Sequence, residues 1–346
     1  MNAAEPLLVV SALTKRFVDK RTTADKMRKR EPAVLTALDG VDIAVGPGET
    51  LGVVGESGSG KSTLARCIVR LHEPDSGSVS FDGTDVLAAT GAELRELRRD
   101  VQMVYQDPYT SLNPRLRIGT AVAEPARVHG LIERGEEEAY AAELLERVGI
   151  GKEAIPRYPH EFSGGQRQRI AIARSLAVKP RLLIADEAVS ALDVSIQAQL
   201  LSLLEEIRRD LGLTMIFIAH QLAVISRLAD RVAIIYLGRI VETGVTAEVF
   251  SNPRHPYTQA LLEAHPQIDG SRVRKPAVRS ETPSAYSIPA GCRFHTRCPL
   301  AEDICTRVDP PEVEIPSAGG GHLSACHVLP KQAPGKAPAT AGRKAD

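Results

Sequence analysis

The stretch GESGSGKS, from Gly55 to Ser62, constrains the folding of this chain more than any other segment. It follows the pattern glycine, four residues, glycine, lysine, then serine or threonine. A loop of this kind needs a strand to deliver it and a helix to receive it. Its glycines let the backbone curl until several N–H groups face one anion, and the next helix adds its positive end. Both flanks comply, with LGVV (Leu51 to Val54) reading as a strand and TLARCIVRLH (Thr63 to His72) as a helix. The chemistry is that of a nucleoside triphosphate: Lys61 meets the outer phosphates and Ser62 offers a hydroxyl to Mg2+. A plain glycine-rich turn is the alternative, and the flanks argue against it.

The rest of the chain extends this reading to an α/β fold class. Short β-rich segments at Leu7–Ser11, Val41–Val45, Leu51–Val54 and Val79–Phe81 predict strands separated by Gly and Pro turns. RLLIADE (Arg181 to Glu187) is a continuous apolar run ending in two carboxylates, as expected of a buried parallel strand with acids at its C-terminal end. In the helix after it, Ile196, Leu200, Leu203, Leu204, Ile207 and Leu211 recur at three- and four-residue steps, one face for packing on a sheet. TMIFIAH and RVAIIYLG predict two further buried strands. From Glu93 to Gly149 the pattern is helical, including ELRELRRD and EEEAYAAELLERVG. The expected segments are therefore 1–92, a β subdomain with the phosphate loop; 93–165, a helical insertion; 166–265, the remaining core; 266–330, a loop-rich cysteine-containing appendage; and 331–346, a disordered tail.

Composition narrows the partners. A formal net charge of zero gives no global field favouring nucleic acid, and none is expected as a partner. Between Lys15 and Arg30 eight basic residues face two acidic ones, a local run suited to a solvated loop or an anionic surface. No apolar run approaches the roughly 20 residues of a membrane-crossing helix, and the N-terminus lacks a signal-peptide layout, so the chain is expected on the cytosolic side. Four of the five cysteines fall between Cys292 and Cys326, a local cluster rather than a distributed disulfide framework.

A phosphate loop alone leaves GTPases, kinases, helicases and transport ATPases open, so the decision rests downstream. FSGGQ, starting at Phe162, opens a helix with a serine and two glycines, a second anion-binding N-terminus. Asp186 and Glu187 place one carboxylate for Mg2+ and the next for a water aimed at the γ-phosphate. Gln106 and His220 add polar groups; alone, the histidine would read as structural and the glutamine as nothing in particular.

In this ordered set the sequence resembles the ATP-binding cassette (ABC) ATPases over about residues 7 to 265. The match runs through GESGSGKS, Gln106, FSGGQ (Phe162 to Gln166), LLIADE, SALD (Ser190 to Asp193) and His220. VQMVYQDPYTSLNPRLRIG and SALDVSIQAQLL are similar to the oligopeptide/dipeptide importer ATPases, the second of two paired subunits in particular.

The resemblance implies a RecA-like P-loop NTPase core with an N-terminal antiparallel β subdomain and an inserted helical subdomain. It implies ATP and Mg2+ as cofactors. The nucleotide would meet Gly55, Glu56, Ser57, Gly58, Ser59, Gly60, Lys61, Ser62 and Thr63, with Phe17 stacking on adenine. Ser163, Gly164, Gly165 and Gln166 would cap the nucleotide of a partner. Glu187, His220 and Gln106 would be catalytic, with Ser62, Gln106 and Asp186 around Mg2+. Implied partners are a second ABC ATPase subunit in a heterodimer, or a homodimer, together with two membrane permease subunits and, through them, an extracytoplasmic substrate-binding protein. The implied location is the inner membrane, peripheral on its cytoplasmic side, and the implied cargo is peptide. Nickel chelates, another small solute, or a soluble non-transport ABC ATPase are the alternatives.

Three positions depart from the family pattern: Ala188 where proline usually follows the glutamate, Gln221 where an acid usually follows the histidine, and Phe162 where leucine usually opens the signature, a conservative packing change. None removes a catalytic group. Cys292, Cys298, Cys305 and Cys326, with five, six and twenty residues between them, can complete a metal site, but the spacing does not select the metal. The resemblance implies a 4Fe–4S cluster, with Zn2+ as alternative and His295, His322 and His327 near enough in sequence to substitute as ligands.

Overall fold

The computed structural model describes residues 5–19, 31–107, 111–190, 192–264, 282–317 and 320–329. Most of the basic run and the whole 331–346 tail lie outside those residues.

Strand β1 (Leu8–Val18) pairs antiparallel with β2 (Val34–Val45). Both run well beyond the apolar segments visible in the sequence. Register shifts between Val10 and Arg16 explain why: bulges break the alternation that marks a strand, while the ladder continues. The centre of the molecule is a parallel array of β3 (Thr50–Val54), β6 (Val101–Val104), β7 (Leu182–Asp186), β8 (Thr214–Ala219) and β9 (Arg231–Tyr236), in the order β9-β3-β8-β7-β6. Every residue of β3, β7 and β8 is buried, because both faces of the sheet are covered.

The two faces serve different cores. Leu51, Val53, Leu182, Ile184, Ile216 and Ile218 pack with β1, β2 and helix α1 (Lys61–Ile68). On that side β4 (Ser76–Phe81) and β5 (Thr84–Asp85) complete a four-stranded antiparallel sheet ordered β2-β1-β4-β5. Leu97 of helix α2 (Gly91–Asp100) joins the same core, and β6 is an edge strand of the central sheet. Helix α2, with three arginines balanced by three acidic residues, thus supports that edge.

The opposite face packs against α3 (Ile118–Val128), α4 (Glu137–Arg147), α5 (Gly164–Leu176) and α6 (Val194–Leu211). In α6, Leu200, Leu203, Leu204 and Ile207 are buried as their spacing predicts. Leu211 is exposed, since the helix stops there at Gly212 in left-handed conformation.

The C-terminal segment differs most from its sequence reading. Strand β10 (Arg239–Val245) continues the sheet antiparallel to β9, then β12 (His322–Ala325) pairs with β10 and β11 (Glu312–Ile315) with β12. The presumed appendage therefore finishes the central sheet. Its anchor is Glu242, buried in β10, whose carboxylate accepts from the backbone N–H of Arg254 (2.6 Å) and His255 (3.0 Å). His322 Nε2 lies 2.8 Å from the same carboxylate, and His322 is not among the residues that line the small cavity of the four C-terminal cysteines.

Candidate active site

Strand β3 ends at Val54 and hands the chain to the glycine loop, which feeds α1. Gly60, at φ 109°, makes that handover: a Cβ there would stand 2.3 Å from the Ala37 carbonyl oxygen in β2. Lys61 is almost wholly buried, and its Nζ donates to the carbonyls of Gly55 (2.9 Å) and Glu56 (2.8 Å), so the loop curls around the ammonium. Burial lowers the Lys61 pKa, opposed by the charges of Glu187, Asp186 and Glu56. Ser57 and Gly58 are exposed at the rim, and Ser59, Ser62 and Thr63 follow inward.

Strand β7 delivers the acids beside this loop. Ser62 Oγ donates to Asp186 Oδ1 at 2.8 Å. Asp186 is 2% exposed, and burial raises its pKa, with the neighbouring Glu187 charge adding to the rise against the Ser62 hydrogen bond. A hydroxyl and a buried carboxylate short of positive charge form the donor set that suits a hard divalent cation, so Ser62 and Asp186 fit Mg2+.

Glu187 takes a positive φ of 49° just after β7, and its N–H donates to Ile218 O in β8. The turn is held without proline: Ala188 is buried at 3% exposure, and Ser190 donates both its N–H (3.0 Å) and its hydroxyl (2.9 Å) to the Glu187 carbonyl. The carboxylate itself is shared. Gln106 Nε2 donates to Glu187 Oε2 at 2.8 Å, Lys61 Nζ lies 3.9 Å from Oε1, and His220 Nδ1 lies 4.0 Å from Oε2. Residues 61, 62, 106, 186, 187 and 220 are thus joined in one network. Gln221 points elsewhere, its Oε1 accepting from Gln197 Nε2 (2.8 Å) on α6.

Ser163 to Gln166 open α5 at a different place. Ser163 Oγ accepts from the Gln166 N–H (3.3 Å) and Gln166 Oε1 accepts from the Ser163 N–H (3.0 Å), a reciprocal cap that fixes the helix start. Gly165 is pressed against Ile196 of α6, while Ser163 and Gln166 are exposed. Phe17, near the end of β1, is half-buried with its ring edge-on to His72 (5.4 Å) and Lys15 Nζ 5.4 Å from its centroid.

The four C-terminal cysteines come together. Cys292, Cys298, Cys305 and Cys326 line one small cavity with His295, His327 and His255. None forms a disulfide. Burial pushes the Cys292 thiol up to about 11 and Cys326 up to about 12, with the other cysteines adding to both. Among the described residues no three His, Cys, Asp or Glu side chains converge closely enough to hold one metal ion.

Sequence reasoning missed the supports of the phosphate loop. Tyr257, in the helix Pro256–Glu263, accepts from the Glu56 N–H through its hydroxyl (2.9 Å), and Arg297 pairs with the Glu56 carboxylate. Both lie about 200 residues or more beyond the loop, where no local pattern in sequence signals a contact.

Comparison with known proteins agrees with this geometry. The ABC transporter family model matches residues 38–190, and that of the oligopeptide/dipeptide transporter C-terminal region matches 241–305. A probable peptide ABC transporter ATP-binding protein of Sinorhizobium fredii is 48% identical over 94% of this chain and 90% of its own length. The oligopeptide transport ATP-binding protein OppF of Salmonella typhimurium is 49% identical over 81% of this chain and 85% of its own. Among solved structures, the ATP-binding cassette MJ0796, a dimer bound to ADP and Pi, superposes with a TM-score of 0.60 at 27% identity, covering 69% of this chain and 98% of that one.

Proposed function

Because the chain belongs to the ATP-binding subunits of ABC transporters, in their oligopeptide/dipeptide branch, we propose that it powers peptide import by hydrolysing ATP at a seam between two such subunits. It is an ATPase of a peptide importer. The observation that carries this reading is the network at the ends of β3, β7 and β8, where Lys61, Ser62, Gln106, Asp186, Glu187 and His220 converge.

In that network Ser62 and Asp186 would hold Mg2+, which would supply neutralisation of phosphate charge, and Lys61 would exchange its bonds to the loop carbonyls for the outer phosphates. Glu187 orients and polarises the attacking water, while Gln106 and His220 flank that carboxylate and sense the γ-phosphate. Phe17, half-buried near the end of β1, is the ring that would stack on the adenine.

The signature residues Ser163, Gly164, Gly165 and Gln166 sit on a different element from the phosphate loop. Each chain therefore carries one half of two seams, and Ser163 with the exposed N-terminus of α5 caps the nucleotide of its partner. The partner is a second ABC ATPase subunit, in a heterodimer, with a homodimer as the alternative. In this reading separate permease subunits conduct the peptide and an external binding protein supplies it. Among the described residues no helix is long and apolar enough to cross a membrane. A cleft of about 500 Å3 beside β6, lined by Gln102, Tyr105, Glu124, His129 and Arg174, gives the permease a place to dock, and Tyr105 in its wall immediately precedes Gln106.

The cysteine cavity supports a 4Fe–4S cluster. A multi-iron cluster takes one thiolate per iron, so its ligands line a cavity instead of converging on a point, and Cys292, Cys298, Cys305 and Cys326 do so. Bound there it would hold the cysteines as thiolates, its iron offsetting the burial that otherwise keeps them neutral, and cross-link a segment poor in apolar residues. Iron and acid-labile sulfide in anaerobically purified protein test this.

Reconstitution tests the main reading. In vesicles holding the permeases, uptake of an external oligopeptide should require this chain and MgATP on its side of the membrane. ATP turnover indifferent to peptide-loaded binding protein would overturn it.

A further inference from the structure

The phosphate loop contains an acid, Glu56, where it must receive a highly charged anion. An ionised carboxylate at that place opposes phosphate binding unless its charge is cancelled. Arg297 cancels it: Nη1 lies 2.9 Å from Oε2 and Nη2 2.9 Å from Oε1, a two-pronged pair. Arg297 is itself 8% exposed, its guanidinium 5.8 Å from the Tyr236 ring centroid and 5.7 Å from that of Phe294. Thr282 also donates to Glu56, and the Glu56 N–H is held by Tyr257. The remaining polar group of Glu56, its carbonyl, accepts from Lys61 Nζ. A continuous chain of contacts thus runs from Lys61 through Glu56 to Arg297.

Arg297 lies between Cys292 and Cys298, and the ring beside it, Phe294, lines the same cavity as the four cysteines. We propose that Arg297 is a positioning residue for the phosphate loop, and that through it the affinity for ATP depends on the integrity of the cysteine-lined segment. Arg297 touches no reacting atom. It holds Glu56 in one geometry and removes its charge, and the loop amides and Lys61 inherit that order.

The inference rests on Gly55–Ser62 binding ATP, so wild type is measured first. The full-length chain, purified with the subunits it assembles with, is assayed for phosphate release against MgATP concentration. Arg297→Met should raise the KM for ATP roughly tenfold, the effect of losing one charge-assisted pair, while kcat stays within about twofold. Arg297→Lys should fall between, because it keeps the charge and loses the fork. Glu56→Gln combined with Arg297→Met should recover most of the lost affinity, since no uncancelled carboxylate remains. Cys298→Ser should also raise KM, and add less than its full effect to Arg297→Met.

Rescue by the double variant separates positioning from simple loss of packing, which Glu56→Gln cannot repair. An unchanged KM in Arg297→Met with active wild type overturns this inference alone, and failure of the double variant to recover overturns the electrostatic role. An unchanged KM in Cys298→Ser overturns the link to the cysteines. Wild type that binds no MgATP overturns the nucleotide reading and this inference with it.

Discussion

Substituting alanine at two glycines of the phosphate loop separates backbone strain from steric obstruction. Gly58 has φ 77° and a Cβ built on it meets nothing within 4 Å, so alanine there suffers only the left-handed conformation, about 1–2 kcal/mol. Gly60 has φ 109°, and its added Cβ would lie 2.3 Å from Ala37 O and 3.1 Å from Leu38 Cδ2. Ala37 sits at the bulge of β2 between the Arg16–Thr36 and Lys15–Leu38 pairs, and Gly238 packs against the same carbonyl, so the loop must move instead, carrying the N–H groups at the start of α1 off the phosphates. We expect Gly58→Ala to weaken MgATP binding about 5- to 30-fold, and Gly60→Ala to weaken it beyond about 100-fold, the equivalent of roughly 3 kcal/mol. Titration calorimetry with the intact chain reads both, and the unfolding midpoint without nucleotide checks that each variant folds. Equal losses at the two positions, or near-normal binding by Gly60→Ala, would refute the steric account of the loop.

Other outcomes follow from the same geometry. Glu187→Gln should keep ATP binding but lower phosphate release about 10²–10⁴-fold, the share of a general base, and should trap an ATP-bound dimer visible by size-exclusion chromatography; near-normal release with the partner site also disabled would contradict the role of Glu187. Asp186, with its raised pKa, binds its proton more tightly in the folded chain than in the unfolded one. Stability without Mg2+ should therefore decline as pH rises from the ordinary aspartate value to the raised one, and Mg2+ affinity should increase over the same interval, as paired melts with and without the metal would record. Cys67 is buried and pushed up to about 11, so at pH 8 its thiolate population is about 100-fold below that of a thiol at the reference value of 9.0. In protein first stripped of any cluster with a chelator, mass spectrometry after brief alkylation should find Cys67 unmodified and Cys298, the least buried of the five, modified first.

The parts legible in the sequence were those written in short, local code. The strand–loop–helix around Lys61, the apolar run ending at Asp186 and Glu187, and the capped start of α5 at Ser163 each need only a few consecutive residues to declare themselves. The buried face of α6 was equally plain, because period and burial coincide. What stayed hidden depended on distance along the chain. The bulged length of β1 carries no alternation to read, and α2 is helical in pattern but gives no sign that its Leu97 packs on the core. Strands β11 and β12 are four residues each and acquire meaning only on the edge of β10, where the buried Glu242 and His322 meet. Arg297, in a stretch that sequence alone suggests is a loop, finds its carboxylate 241 residues away.

Strand β3, which carries the phosphate loop, is flanked by β8 and β9, so Leu51 is bonded on one side opposite Ile216 and on the other opposite Arg231. During synthesis the loop emerges early from the ribosome, yet neither neighbour exists until well past the midpoint of translation. A chain cut short before residue 214 therefore carries the glycine loop but neither of the strands that flank its mount.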